Sequence, residues 1–62
     1  MIANKYKILV IEDEDNINNL LKALLETNGY QVLTAKNCQN GLTLFTSHRP
    51  DLVILDLGLP DR

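Results

Sequence analysis

The sequence predicts an α/β domain built on a parallel sheet, and three observations carry that expectation. Two short unbroken apolar runs, Ile8–Ile11 and Leu52–Leu55, are each bounded by charged or turn residues, which is how strands buried on both faces read. Segments of strand and helix character alternate along the chain with short connections, which implies right-handed crossovers and parallel pairing. Both apolar runs end on carboxylates, Glu12-Asp13 and Asp56, so acidic groups gather at the carboxyl ends of the strands, where open α/β sheets bind ligands.

Taken in order, Ile8-Leu-Val-Ile11 follows Lys7 and precedes Glu12-Asp13-Glu14-Asp15, and its brevity and β-branched content favour a strand. Asp15 or Asn16 can then cap a helix, whose N-terminus suits negative charge. Within it Ile17, Leu20, Leu21, Leu24 and Leu25 form an apolar stripe at helical spacing, with Asn18, Asn19, Lys22 and Glu26 largely off it. Asn28-Gly29 is a C-terminal stop. Tyr30–Ala35, containing Val32 and Leu33, reads as a short strand. A second helix runs from about Asn37 to His48, with Cys38, Gly41, Leu42 and Phe45 on one stripe and Leu44 beside it. Gly41 weakens it, since glycine costs about 1 kcal/mol against alanine inside a helix. Arg49-Pro50 ends the helix, and Asp51 leads into the last strand, Leu52–Leu55; Gly58 and Pro60 then take the backbone out of the sheet. The two fully apolar strands should be interior neighbours and the more polar Tyr30–Ala35 strand an edge, giving spatial order 2-1-3 with one helix on each face.

Sixty-two residues allow one small domain. A chain of this length buries only about 60% of the surface its unfolded form exposes and is marginal unless stapled, liganded or oligomeric. One cysteine and one histidine exclude a disulfide or zinc staple. Cys38 is expected to be a small buried hydrophobe, and a single unpaired thiol suits a reducing compartment. Eight acidic against six basic residues give a net charge of −2, and the dispersed basic residues make no nucleic-acid surface. His48 should be solvated near a helix end, and Lys5, Lys7, Lys22 and Lys36 should be solvating charges on exposed faces. The apolar run after the first seven residues is too short for a signal peptide or a membrane span, so a soluble, cytoplasmic protein is expected.

Alone, Glu12-Asp13 could be a solvated helix-capping turn, and Asp56 a turn residue closing a strand. Order 2-1-3 instead places all three at the ends of neighbouring strands, which lie about 4.8 Å apart. Carboxylates so close must share protons or be neutralised by a cation. An all-oxygen set with backbone carbonyls to hand suits Mg²⁺, which keeps several waters, whereas zinc lacks its Cys or His ligands.

The strand and acidic turn Ile8-Leu-Val-Ile-Glu-Asp-Glu-Asp15, the helix ending at Asn28-Gly29-Tyr30, Ala35 with Gly41, and Pro50-Asp-Leu-Val-Ile-Leu-Asp-Leu-Gly-Leu-Pro60 together resemble the N-terminal half of a response-regulator receiver domain of the two-component signalling family. Their joint order and spacing are specific and cover nearly the whole chain. The Leu-Asp-Leu-Gly-Leu-Pro-Asp wording is most similar to regulators whose output is a winged-helix DNA-binding domain, potassium-transport regulators among them. The resemblance implies a flavodoxin-like (CheY-like) fold in which Asp56 accepts a phosphoryl group from a histidine of a partner sensor kinase. It further implies that Asp13 ligates Mg²⁺ directly, Glu12 holds it mainly through water, and the backbone carbonyl of Gly58 adds a ligand.

Residues 1–62 then make a partial receiver, limited to the first three strands and two helices. The family's hydroxyl residue after strand four, its lysine after strand five, its switch aromatic and its dimerisation surface have no counterpart, and DNA would be reached only through an output domain. The reading is therefore of an impaired fragment whose third strand is a bare apolar edge, which invites self-association. Two rival chemistries fail on the residues. A haloacid-dehalogenase-type phosphatase needs a second aspartate at position 58, and a Rossmann binder needs Gly-x-Gly-x-x-Gly where this chain has Glu-Asp-Glu-Asp. The rival from another class is a receiver-like unit that only binds a partner or itself.

Overall fold

The computed structural model describes residues 6–56. Its elements alternate as expected: β1 (Lys7–Ile11), α1 (Asp15–Thr27), β2 (Gln31–Ala35), α2 (Cys38–His48) and β3 (Leu52–Leu55). The three strands form one parallel sheet in the order β2-β1-β3. The expected α/β topology with spatial order 2-1-3 is what the chain adopts. Among the described residues, no helix is long and apolar enough to cross a membrane.

Alternation along β1 splits the core in two. Leu9 and Ile11 face α2 and cluster with Ala35, Leu33 and Leu44, while Ile8 and Val10 are buried on the face toward α1. The α2 face owes its closeness to Gly41, the buried residue of that helix. A Cβ built there would meet Ile11, with Cγ1 only 2.8 Å away, so the absent side chain lets helix and strand approach. The glycine that weakens the helix by propensity thus serves its packing. Gly41→Val is expected to cost about 1–3 kcal/mol through overpacking, read from the denaturant midpoint.

Helix termini follow local chemistry. Asn37 caps α2, its Oδ1 accepting from the Asn40 N–H at 2.8 Å. At the end of α1, Gly29 takes φ 91°, its N–H reaching Glu26 O and that of Tyr30 reaching Leu25 O, a Schellman turn. The start of α1 differs from expectation. Glu14, not Asp15 or Asn16, occupies the cap position and makes no side-chain cap bond; Asp15 lies in the first turn.

The helix faces also differ from the periodic reading. Ile17, Leu20 and Leu24 are exposed, as are Leu42 and Phe45 on α2, whereas Asn18 is buried. Cys38, expected inside, is exposed. The cause is the narrow sheet: each helix seats on β1 and β2, and β3 receives neither. The expectation that Leu52–Leu55 be buried on both faces is likewise not met among the described residues, where Leu52 and Leu55 are 55% and 60% exposed.

Asp51 holds β3 in register. Its carboxylate accepts from the Lys7 N–H at 2.8 Å, and its own N–H donates to Lys7 O at 2.7 Å. Ile8 then pairs with Leu52 and Ile11 with Leu55, so Asp56 comes out beside Glu12. A slip of one residue would reverse every side chain of the strand.

Candidate functional site at the carboxyl ends of the strands

The main-chain ladder continues one step past the strands. The Glu12 N–H donates to Ala35 O and the Asp56 N–H donates to Ile11 O, both at 2.9 Å. Glu12 is thereby fixed at the end of the central strand, between the ends of the other two. It is 2% exposed, Asp13 is half-buried and Asp56 is exposed. The structure thus brings Glu12, Asp13 and Asp56 to one rim as the strand order predicts. Gly58 lies outside the described residues.

The Glu12 carboxylate is held in a conflicted setting. Its Oε2 accepts from the Glu14 N–H at 3.0 Å, while Oε1 is buried and has no hydrogen-bond partner among the described residues. The Glu14 bond lowers its pKa, but burial, the nearby charge of Asp56 and the adjacent carboxylate of Asp13 together outweigh it, leaving Glu12 above its ordinary value of 4.5. The folded state therefore holds this proton more tightly than the unfolded chain does. Its stabilising effect is full below pH 4.5 and is lost as pH rises through the elevated value. Glu12→Gln keeps an acceptor for the Glu14 N–H and removes the charge. It is expected to raise the denaturation midpoint at pH 7 in chelator and to leave it little changed near pH 4; a midpoint lower than wild type at pH 7 would refute the electrostatic account.

Two contacts at this rim escaped the sequence reading. Asn18, 5% exposed on α1, donates from Nδ2 to Glu12 O at 3.0 Å and to Ala35 O at 3.2 Å. Lys36, just past β2, pairs with Asp15 at 3.1 Å, both side chains exposed, so the pair adds little stability but sets a cation beside the acidic turn.

The donors here are all oxygens, and Glu12 Oε1 is a buried acceptor with no hydrogen-bond partner among the described residues. Among the described residues, no group of three or more His, Cys, Asp or Glu is placed to hold a metal ion, so Glu12, Asp13 and Asp56 share a rim without forming a three-carboxylate metal cluster. Mg²⁺ needs no such cage, since it takes one or two carboxylates and completes its shell with water. The chemistry of the donor set fits it. By contrast, a mainly apolar groove of about 370 Å³, lined by Tyr6, Ile8, Leu25, Tyr30, Leu52 and Ile54 with Asp51 at its edge, opens at the opposite end of the sheet, away from the Glu12 rim.

Comparison with known proteins supports the same region. Residues 8–62 match the response regulator receiver domain family. The chain is 46% identical over 54 residues to the KDP operon transcriptional regulatory protein KdpE of Escherichia coli (strain K12), covering 87% of this chain and 24% of that protein. It is 50% identical over 54 residues to the transcriptional regulatory protein KdpE of Mycobacterium tuberculosis (strain ATCC 25618 / H37Rv), with the same coverage. To the alkaline phosphatase synthesis transcriptional regulatory protein PhoP of Bacillus subtilis (strain 168) it is 44% identical over 54 residues, covering 87% of this chain and 22% of that one. The chain spans about a quarter of the length of these curated relatives. With its parallel sheet in the order β2-β1-β3 and its acidic rim, this chain belongs to the response regulator receiver domain family.

Proposed function

We propose that the chain is a phospho-acceptor module of two-component signalling, with Asp56 taking a phosphoryl group from a phosphohistidine of a sensor kinase. The observation that carries this reading is the β1–β3 register, which sets Asp56 beside the buried Glu12, whose Oε1 has no partner among the described residues. Asp56 is the exposed carboxylate of the set, so an incoming phosphoryl group can reach it. Its Oδ attacks phosphorus as the bond from phosphorus to the donor nitrogen breaks, giving an acyl phosphate that water later hydrolyses. Asp13 would hold Mg²⁺ directly, Glu12 through water, and Gly58 through its carbonyl. When bound, the ion neutralises charge between two anionic partners. The chain itself is not read as an enzyme with turnover on a small substrate, and its place of action is read as the cytoplasm.

The test is to incubate the chain with Mg²⁺ and a small phosphodonor and to read intact mass. Gain of one phosphoryl group, abolished by a chelator, supports the reading; no gain over a range of Mg²⁺ concentrations overturns it. The partner side of the reading is self-association through β3. Among the described residues no strand pairs with its outer edge, and apolar Leu52, Val53 and Leu55 are exposed beside it. A second copy paired through β3 would continue the sheet. Light scattering that shows only monomer at high micromolar concentration would count against it.

A further inference from the structure

We infer that Asn18 is a positioning residue for the acidic turn, holding Glu12, and Asp13 behind it, where they can act with Asp56. Asparagine is a poor helix former and has no apolar surface to recommend it for a buried place. It occupies one nonetheless, the fourth residue of α1, over the ends of β1 and β2. Its amide orientation is set by its partners: both contacts, Glu12 O and Ala35 O, are carbonyls, so only the Nδ2 group can face them. One side chain therefore ties the helix to the last residue of β2 and to the first residue of the acidic turn. Ala35 O also receives the Glu12 N–H at 2.9 Å, so Asn18 and the Glu12 main chain are anchored to the same point.

The tie bears on the carboxylates through a short path. With its main chain clamped on both sides, Glu12 lays its side chain back along the turn, where Oε2 meets the Glu14 N–H. Among the described residues nothing donates to buried Oε1, nor to the buried Oδ1 of Asn18 itself. Unpaired buried acceptors are costly, and both lie at the rim where a donor or a cation can satisfy them. An apolar residue at position 18 would fill the space, release the turn and abolish this arrangement. Residues that orient metal ligands from behind weaken metal affinity by about 10–100-fold when lost.

The experiment compares the full chain with Asn18→Leu, Asn18→His and Leu44→Ala. Asn18→Leu keeps size and loses the donor, Asn18→His retains a ring N–H near the same place, and Leu44→Ala destabilises the α2 face without touching the turn. Two readouts are taken: Mg²⁺ affinity by calorimetry, and hydrogen exchange of the Glu14 amide relative to interior amides of α1. The first rests on the proposed function; the second does not. Asn18→Leu is expected to weaken Mg²⁺ at least ten-fold and to speed Glu14 exchange relative to α1 by a similar factor. Asn18→His should recover a substantial part of both, and Leu44→Ala should move neither ratio by more than two-fold. If the parent chain binds no Mg²⁺, the metal reading fails, and the exchange ratios still decide the positioning role. Unchanged Glu14 exchange in Asn18→Leu, or an equal change in Leu44→Ala, overturns it.

Discussion

Asp56→Asn is expected to abolish phosphoryl uptake while making the metal-free chain more stable. The amide is isosteric with the carboxylate and leaves the Asp56 N–H to Ile11 O bond untouched, so the β1–β3 register survives. It is no nucleophile at neutral pH, so intact mass should show no gain with Mg²⁺ and phosphodonor. Its neutrality also removes one of the charges that hold Glu12 above its ordinary value, and the Glu12 pKa should fall. The parent chain carries this repulsion at pH 7 and loses it on acidification, so the gap between variant and parent midpoints should narrow toward pH 4. Added Mg²⁺ should narrow it too, because a ligand that binds only the folded state stabilises the parent more than a variant with fewer charges to neutralise. Retention of one phosphoryl group by Asp56→Asn would place the acceptor on another carboxylate of the rim. A lower midpoint than the parent at pH 7 would mean that Asp56 stabilises the strand end by bonding and that repulsion is secondary.

Leu9→Ala is expected to leave the chain largely unfolded at room temperature. Leu9 is 0% exposed at the middle of the central strand and joins Ile11, Ala35, Leu33 and Leu44 in the α2-face cluster. Leucine-to-alanine changes at such sites cost about 2.7–5 kcal/mol, including the cavity left behind. At roughly 0.05–0.15 kcal/mol per residue a chain of this length holds about 3–9 kcal/mol in all, and short domains fall toward the lower end. One side chain is then worth most of the fold. Leu42→Ala makes the same chemical change at a residue 64% exposed and should stay within about 0.5 kcal/mol of the parent. Far-UV circular dichroism with urea titration compares the two; a cooperative transition for Leu9→Ala near the parent midpoint would show that the core lies elsewhere.

Strand positions and the acidic rim were legible because each depends on local pattern. Ile8–Ile11 is apolar without interruption, which identified the strand buried on both faces, and the carboxylates at Glu12, Asp13 and Asp56 follow directly from where the apolar runs end. The helix faces were less legible. The spacing of Ile17, Leu20, Leu21, Leu24 and Leu25 shows where apolar side chains gather on α1, but not how far around the helix the sheet extends. Two strands offer a narrow seat, so Leu21 and Leu25 are partly covered while Leu20 and Leu24 remain exposed. Cys38 misled for the same reason: its place on a stripe of α2 says nothing of whether a strand lies beneath it.

The sequence by itself determined the order of elements, the parallel topology and the residues that carry the acidic chemistry, because periodicity, turn residues and the ends of apolar runs are properties of short stretches. Only the tertiary structure decided what those residues experience. That Asp51 clamps the start of β3 to Lys7, that Gly41 admits Ile11, and that Asn18 reaches two carbonyls from beneath the acidic turn are contacts between distant parts of the chain. The elevated pKa of Glu12 is of the same kind, arising from burial under one element and from charges on its neighbours. Such effects depend on distances in space that no local pattern records.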